Sequence, residues 1–497
     1  MTARARAILA ARRAGVLLHP TSLPARGAAG ELGQEARNFL RWLADAGFSV
    51  WQMLPIGPTH ADDSPYQALS AHAGNPRLID LEDLLQQGWL TAAQAAASAG
   101  KPALLRIAAQ RFDAALERDG PLADAFRSFR ERTAHWLGDF ALFMALREAH
   151  DESSWLDWPP ALRQRDPEAL AQAAARHAER IAGIEFEQFI FERQWAALKT
   201  HANGLGIALF GDMPIFVHLD SADVWANQRL FLLGSDGNPT VVAGVPPDYF
   251  SATGQRWGNP LYDWDGLAQT GYAWWIERVH TQQRLFDLIR VDHFRGFEAY
   301  WEIDATSATA IDGRWVKAPG RPFFQAIAAA CGEVPFVAEN LGVITAEVEA
   351  LRRDLTLPGM LVLQFAFDGS PDNPYLPHNH AALEVVYTGT HDNDTTAGWY
   401  AALDDATRLR VNDYLGLPTE AMPWPLIRCA LRSVARLAIV PMQDLLELGS
   451  DHRMNIPGTA SGNWGWRFTW DQVPPQLHAR LRHLLALYGR LHAVDAH

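Results

Sequence analysis

Eight short apolar runs recur along the chain, at 15–18, 49–54, 206–211, 288–292, 334–339, 360–366, 385–388 and 437–442. They are continuous rather than alternating, the pattern of parallel strands buried on both faces. Between them, apolar residues recur with helical spacing over 31–46, 274–285, 323–330, 346–353 and 426–436. Eight β–α units in one chain predict an α/β protein built on a (β/α)8 TIM barrel. Two intervals are too long for simple crossovers. The first, about 57–204, follows the second strand. It is rich in Ala and Arg, has helical periodicity over 104–116, 139–148 and 185–198, and reads as a helical insertion. The second, about 217–272, follows the third strand. It is rich in Gly, Pro, Asp and aromatics and reads as a loop-rich insertion forming a lid over the barrel mouth. No repeat, low-complexity segment or flexible linker divides the chain, so 1–497 reads as a single catalytic domain.

Three of the segments at strand ends carry acids: Arg290-Val291-Asp292-His293, Ala338-Glu339-Asn340 and Thr390-His391-Asp392-Asn393. The third strand ends near a fourth, Asp212. A buried apolar strand has no use for a carboxylate, since an unpaired buried charge costs on the order of several kcal/mol. Barrel active sites lie at the C-terminal ends of the strands, so these acids would converge on one cleft although they are far apart in sequence.

Paired carboxylates of this kind suit the making and breaking of glycosidic bonds. Retaining glycosyl transfer uses a carboxylate nucleophile and a carboxylic acid about 5–5.5 Å apart. The acid must stay protonated near neutral pH, which burial or a negative neighbour achieves. The nucleophile must stay ionised. Arg290 precedes Asp292 by two residues, and the two-residue period of a strand puts both side chains on one face. An arginine is always charged and would hold Asp292 as a carboxylate. Asp292 is therefore the candidate nucleophile. Glu339 has no cation beside it in sequence and is the candidate acid/base. Asp392 would stabilise an oxocarbenium-like transition state, and His293 and His391 would donate hydrogen bonds to hydroxyls of the same sugar ring.

Bulk properties narrow the partners. Lys and Arg number 43 against 57 Asp and Glu, a net charge of −14 that disfavours nucleic acid and acidic membranes but does not repel a neutral sugar. Two cysteines, Cys331 and Cys429, lie in apolar stretches and are expected to be buried thiols. No segment has the roughly 18 consecutive apolar residues of a membrane span, and the N-terminus has no apolar run long enough for a secretion signal, so a cytoplasmic location is expected. Of the 19 tryptophans, several sit in Gly- and Asn-rich loops such as Arg256-Trp257-Gly258-Asn259-Pro260 and Gly462-Asn463-Trp464-Gly465-Trp466, where a ring can stack on the apolar face of a pyranose.

The segments Arg290-Val-Asp-His-Phe-Arg-Gly296, Ala338-Glu-Asn-Leu-Gly342 and Gly389-Thr-His-Asp-Asn393 resemble the amylomaltase family of 4-α-glucanotransferases, the disproportionating enzymes of glycoside hydrolase family 77 in the α-amylase clan. The resemblance extends to His19-Pro-Thr-Ser-Leu-Pro24, Ser64-Pro-Tyr-Gln67, Gly211-Asp-Met-Pro-Ile-Phe216, Ala243-Gly-Val-Pro-Pro-Asp-Tyr-Phe250, Gly254-Gln-Arg-Trp-Gly-Asn-Pro260 and Asn455-Ile-Pro-Gly-Thr459, and so covers nearly the whole chain. It implies Asp292 as nucleophile, Glu339 as acid/base and Asp392 as transition-state stabiliser, in agreement with the reading of the residues. It implies that Tyr66 stacks on the sugar at the cleaved bond and that Asp248, Tyr249, Phe250, Gln255 and Trp257 belong to a loop covering the cleft. Ser64, Arg290, Asp368 and Asn463 are further candidate substrate contacts. The implied partners are α-1,4-glucan donors and sugar acceptors: maltooligosaccharides, amylose and glucose.

No metal or cofactor is expected. Asp236-Gly-Asn238 reads as a turn rather than a calcium loop, and Pro377-His-Asn-His380 has no third metal ligand in view. An α-glucan hydrolase of the same clan is the alternative, because it would carry the same carboxylates. A non-catalytic glucan-binding barrel would have no reason to bury an acid beside a nucleophile.

Overall fold

Eight parallel strands form the centre of the molecule: β1 Arg13–Leu17, β2 Val50–Gln52, β3 Ala208–Met213, β4 Leu288–Val291, β5 Phe336–Ala338, β6 Gly359–Val362, β7 Glu384–Tyr387 and β8 Leu437–Pro441. The structure, a computed structural model, describes residues 2–492 apart from 26, 28, 97–99, 248–250 and 460. Each strand pairs in parallel with the next, and β8 closes on β1; only β5 and β6 are not joined by a ladder, which leaves a nearly closed (β/α)8 barrel.

Side-chain parity explains the continuous apolar runs. Leu17, Val50, Phe210, Leu288, Val337, Met360, Val385 and Ile439 meet in one cluster inside the barrel. The alternate residues Val16, Trp51, Leu209, Ile289, Ala338, Leu361, Val386 and Ala438 belong to a second cluster between the strands and the surrounding helices. Both faces of each strand are therefore buried, as parallel barrel strands require. Parity with Phe210, Leu288 and Val337 also turns Asp212, Arg290, Asp292 and Glu339 toward the barrel axis at its C-terminal end.

The strands run slightly off the expected limits. The run at 206–211 forms its strand two residues later, which brings Asp212 into β3, and the run at 360–366 leaves the sheet at Val362 for a 3-10 turn, Leu363–Phe365. Helices Gln34–Ala46, Ala273–Leu285, Arg321–Cys331, Ala346–Asp354 and Trp424–Arg432 lie between strands. No α-helix separates β6 from β7. Gly47 ends the first of these helices in the left-handed conformation, at φ +90°, where its N–H caps the last turn.

Within 57–204 lie helices Lys101–Leu116, Gly120–Thr133, Leu137–Ala149, Pro167–Arg176 and Ala178–Gly204; Phe112, Phe126, Phe129, Phe186 and Phe189 pack the first, second and last of them together. The last of these helices leads directly into β3. The segment 217–272 is more regular than its composition suggested. Its strands Val241–Val245 and Gln255–Pro260 join Ala299–Asp304 and Gly313–Lys317, which follow β4, in a four-stranded antiparallel sheet. Half of this sheet comes from beyond the interval, and that long-range pairing has no local sequence signal. Cys429 is buried as expected, but Cys331 is half-buried; neither is in a disulfide. Among the described residues, no helix is long and apolar enough to cross a membrane.

Candidate active site

Arg290 organises the mouth of the barrel. From β4, its Nη1 donates to both oxygens of Asp212 on β3, at 2.8 and 2.7 Å, and lies 2.8 Å from Asp292 Oδ1 just beyond the end of β4. Tyr66 adds a further donor, its hydroxyl 2.8 Å from Asp212 Oδ2. Arg290 and Asp212 are buried, whereas the Asp292 side chain is 26% exposed and so faces the cleft.

Glu339 follows β5. It is buried, and its carboxylate accepts two backbone amides: the His293 N–H at 2.7 Å and the Leu341 N–H at 3.0 Å. The first bond depends on a left-handed residue. His293 has φ +48°, a conformation a side-chain-bearing residue adopts at a cost and one that concentrates at functional sites. The two amides and Arg290 favour the ionised form, but burial outweighs them, and together with the Asp292 charge it pushes Glu339 up to about 7. Burial also pushes Asp212 up, against Arg290 and the Tyr66 hydroxyl.

The third acid stands on the loop after β7. Asp392 Oδ1 accepts from Asn455 Nδ2 at 2.6 Å, and its Oδ2 lies 3.3 Å from His391 Nε2 without the alignment of a hydrogen bond. The Tyr66 ring stacks on His391 with centroids 5.2 Å apart and planes 13° apart, and Trp464 leans on both. Across the cleft Trp257 meets the His293 ring edge-on at 4.9 Å. Burial lowers the His293 ring to about 3 and lowers His391 as well, so both imidazoles are neutral. Nε2 of each is buried without a hydrogen-bond partner among the described residues. An unsatisfied buried polar atom costs roughly 1–3 kcal/mol, a cost that a ligand hydroxyl would remove.

A bound sugar would thus meet a protonated acid, an ionisable carboxylate beside a guanidinium, two neutral imidazoles and aromatic walls. Comparison with known proteins gives this arrangement its context. The family model described as 4-alpha-glucanotransferase, glycoside hydrolase family 77, matches residues 18–472. The chain belongs to this 4-alpha-glucanotransferase family. It is 52% identical to a 4-alpha-glucanotransferase of Thermus thermophilus over 97% of this chain and 99% of that one. It is 48% identical to one from Synechocystis sp., over 96% and 98% of the two chains. An amylomaltase from Streptococcus agalactiae, solved in complex with acarbose, superimposes with a TM-score of 0.92 at 36% identity, covering 96% of this chain and 99% of that one. The amylomaltase of Corynebacterium glutamicum shares the fold, with a TM-score of 0.79 at 20% identity. The protein is accordingly an enzyme, a 4-alpha-glucanotransferase.

The expected site residues of this glucanotransferase do not all meet. Asp292, Glu339, Arg290, His293, Tyr66, His391, Asp392 and Trp257 lie around one cleft. Ser64 is buried two residues from Tyr66, and its N–H is bound to Asp62. Gln255 accepts the Trp257 indole N–H at 3.1 Å and orients that ring. Asp368 is exposed, and its carboxylate caps its own turn at the Ser370 N–H. Asn463 bonds Ile456 and Thr459, which closes the 456–463 loop rather than touching the carboxylates. Asp248 and Phe250 lie outside the described residues. Sequence reasoning noted Asn455 only as part of a family-like segment and gave it no role, because an amide in an irregular loop has no periodicity to mark it. It gave Asp212 no role, although parity with Phe210 points it inward. His378 and His380 are bound to Tyr414, Pro371, Ser433 and Tyr375.

Proposed function

We propose that the enzyme transfers α-1,4-glucan segments between maltooligosaccharides, amylose and glucose by a retaining double displacement. Glu339 protonates the departing glycosidic oxygen while Asp292 attacks the anomeric carbon, giving a covalent glucosyl-Asp292. The 4-hydroxyl of an acceptor sugar then attacks that carbon as Glu339 takes its proton, and Asp292 is released. Asp392 stabilises the oxocarbenium-like charge in both steps, and His293 and His391 donate to sugar hydroxyls. The observation that carries this reading is the pairing of a buried Glu339, pushed up to about 7, with an Asp292 held 2.8 Å from Arg290. Two carboxyls in opposed environments are what acid and nucleophile require.

Transfer prevails over hydrolysis when the acceptor is held in attack geometry, which is worth up to roughly 7–11 kcal/mol. Tyr66, Trp464 and Trp257 supply walls for that purpose, and the 217–272 segment serves as the lid. Long donors would also cyclise when their own far end acts as acceptor. We assign the enzyme to the cytoplasm.

Incubation with maltotriose alone tests the reading. Glucose plus a ladder of longer maltooligosaccharides, with little rise in reducing ends, is the expected result. Glucose and maltose with a matching rise in reducing ends would identify the α-glucan hydrolase instead.

A further inference from the structure

The barrel has a seam beside the candidate acid. Between β5 and β6, one backbone bond crosses among the described residues, from the Ala338 N–H to the Pro358 carbonyl at 2.8 Å. A side chain supplies the next rung. Asn340, the residue after Glu339, accepts the Met360 N–H on Oδ1 at 2.8 Å and donates from Nδ2 to Glu349 Oε1 at 2.8 Å. Glu349 is held in turn by Arg352 at 2.8 Å, and Arg352 reaches the Leu357 carbonyl at 2.7 Å and Glu384, at the start of β7, at 3.2 Å. The strand opposite has been left open for this group. A Cβ on Gly359 would stand 2.6 Å from Glu384 Oε2 and 2.8 Å from Asn340 Oδ1, so no larger residue fits without displacing the amide.

On its other side Glu339 is tied to β4 and the turn after it. Its N–H meets the Val291 carbonyl at 3.0 Å, and its carbonyl accepts the Phe294 N–H at 3.1 Å. The end of β5 is therefore clamped between a backbone ladder on one side and, on the other, one backbone bond followed by one side-chain amide. We propose that Asn340 is the positioning residue of the acid/base: its amide replaces the missing β5–β6 rung and fixes the direction in which Glu339 enters the cleft. This rests on the reading of Glu339 as acid/base. A reacting group misplaced by about 1 Å costs on the order of 10²-fold in rate, and loss of this rung leaves β5 a single backbone bond on its seam side, none of it at the level of Glu339.

The test compares Asn340→Ala, Asn340→Asp, Gly359→Ala and Glu339→Gln on two reactions. One is disproportionation of maltotriose. The other is α-maltosyl fluoride with azide, in which fluoride leaves without protonation and azide attacks without a base, so neither step needs an acid/base. Asn340→Ala and Gly359→Ala should lower kcat on maltotriose by about 10²-fold, with KM within about threefold, yet lose less than about threefold on the fluoride–azide pair. Asn340→Asp keeps the acceptor for the Met360 N–H and should stay within about tenfold of the parent on maltotriose. Equal losses on both reactions would make the amide a structural tie only and overturn the proposal, as would an undiminished Asn340→Ala. If Asn340→Ala does not fold, Gly359→Ala carries the same comparison. Glu339→Gln separates the premise: undiminished activity on maltotriose overturns the reading of Glu339 itself, whereas an inactive Glu339→Gln beside an undiminished Asn340→Ala overturns the positioning role alone.

Discussion

One guanidinium serves three acids in this cleft. Arg290 bonds Asp212 and Asp292 and acts on Glu339 at longer range. It does not offset the burial of Asp212 and Glu339, and Glu339, enclosed and without direct contact to it, is pushed up to about 7. Because the protonated form does the work on an unactivated glucan, kcat/KM for maltotriose should fall as pH rises through about 7. The Asp292 charge is one cause of the elevation, so Asp292→Asn should move the Glu339 titration downward while burial keeps acting to raise it. Carbon-13 NMR of the Glu339 carboxyl reads this directly, and a titration that stays in place or rises would disprove the electrostatic link. The same substitution should abolish turnover and leave glucan binding largely intact.

At the scale of elements, the turn after β4 and the strand Gln255–Pro260 meet over the site. The left-handed His293 delivers its N–H to Glu339 and its ring to the edge of Trp257, whose indole is fixed by Gln255. An aromatic wall of this kind contributes about 0.5–1.5 kcal/mol to stacking. Trp257→Ala should therefore raise KM for maltotriose by roughly 2- to 10-fold with a smaller change in kcat. Steady-state kinetics with KM unchanged would take Trp257 off the path of the glucan. The excursion that carries Trp257 was visible in the sequence as a departure from the β–α rhythm. Its strands were not, because Val241–Val245 finds its partner in Ala299–Asp304, on the far side of β4.

For the whole molecule, the bottom of the barrel is held by an arginine that has no acidic partner among the described residues. Arg490, near the C-terminal end of the described chain and 1% exposed, donates to the carbonyls of Leu431, Ser433, Ala435, Arg436 and Arg13. It ties the helix Trp424–Arg432 and the starts of β1 and β8 together, and Arg12 shares two of the same carbonyls. Hydrogen bonds from a charged donor contribute about 1.5–3 kcal/mol each, so Arg490→Leu should destabilise by about 3 kcal/mol or more. Calorimetry should record a Tm lower by several degrees, and an unchanged Tm would mean that the carbonyls find other donors. Neither arginine is legible as a clamp in the sequence. What the sequence alone determined was the barrel, the limits of its strands to within about two residues except at the end of β6, and the acids Asp292, Glu339 and Asp392. Those follow from local rules: continuous apolar runs mark strands buried on both faces, a period of two points Asp292 and Glu339 inward, and Asp392 closely follows a strand end. Tertiary structure alone decided the Asp212–Tyr66 contact, the Asn455 bond to Asp392, the four-stranded sheet and the seam filled by Asn340. Each joins residues that lie far apart in the chain, and folding brings such partners together by shape and unsatisfied hydrogen bonds, which leave no periodicity behind.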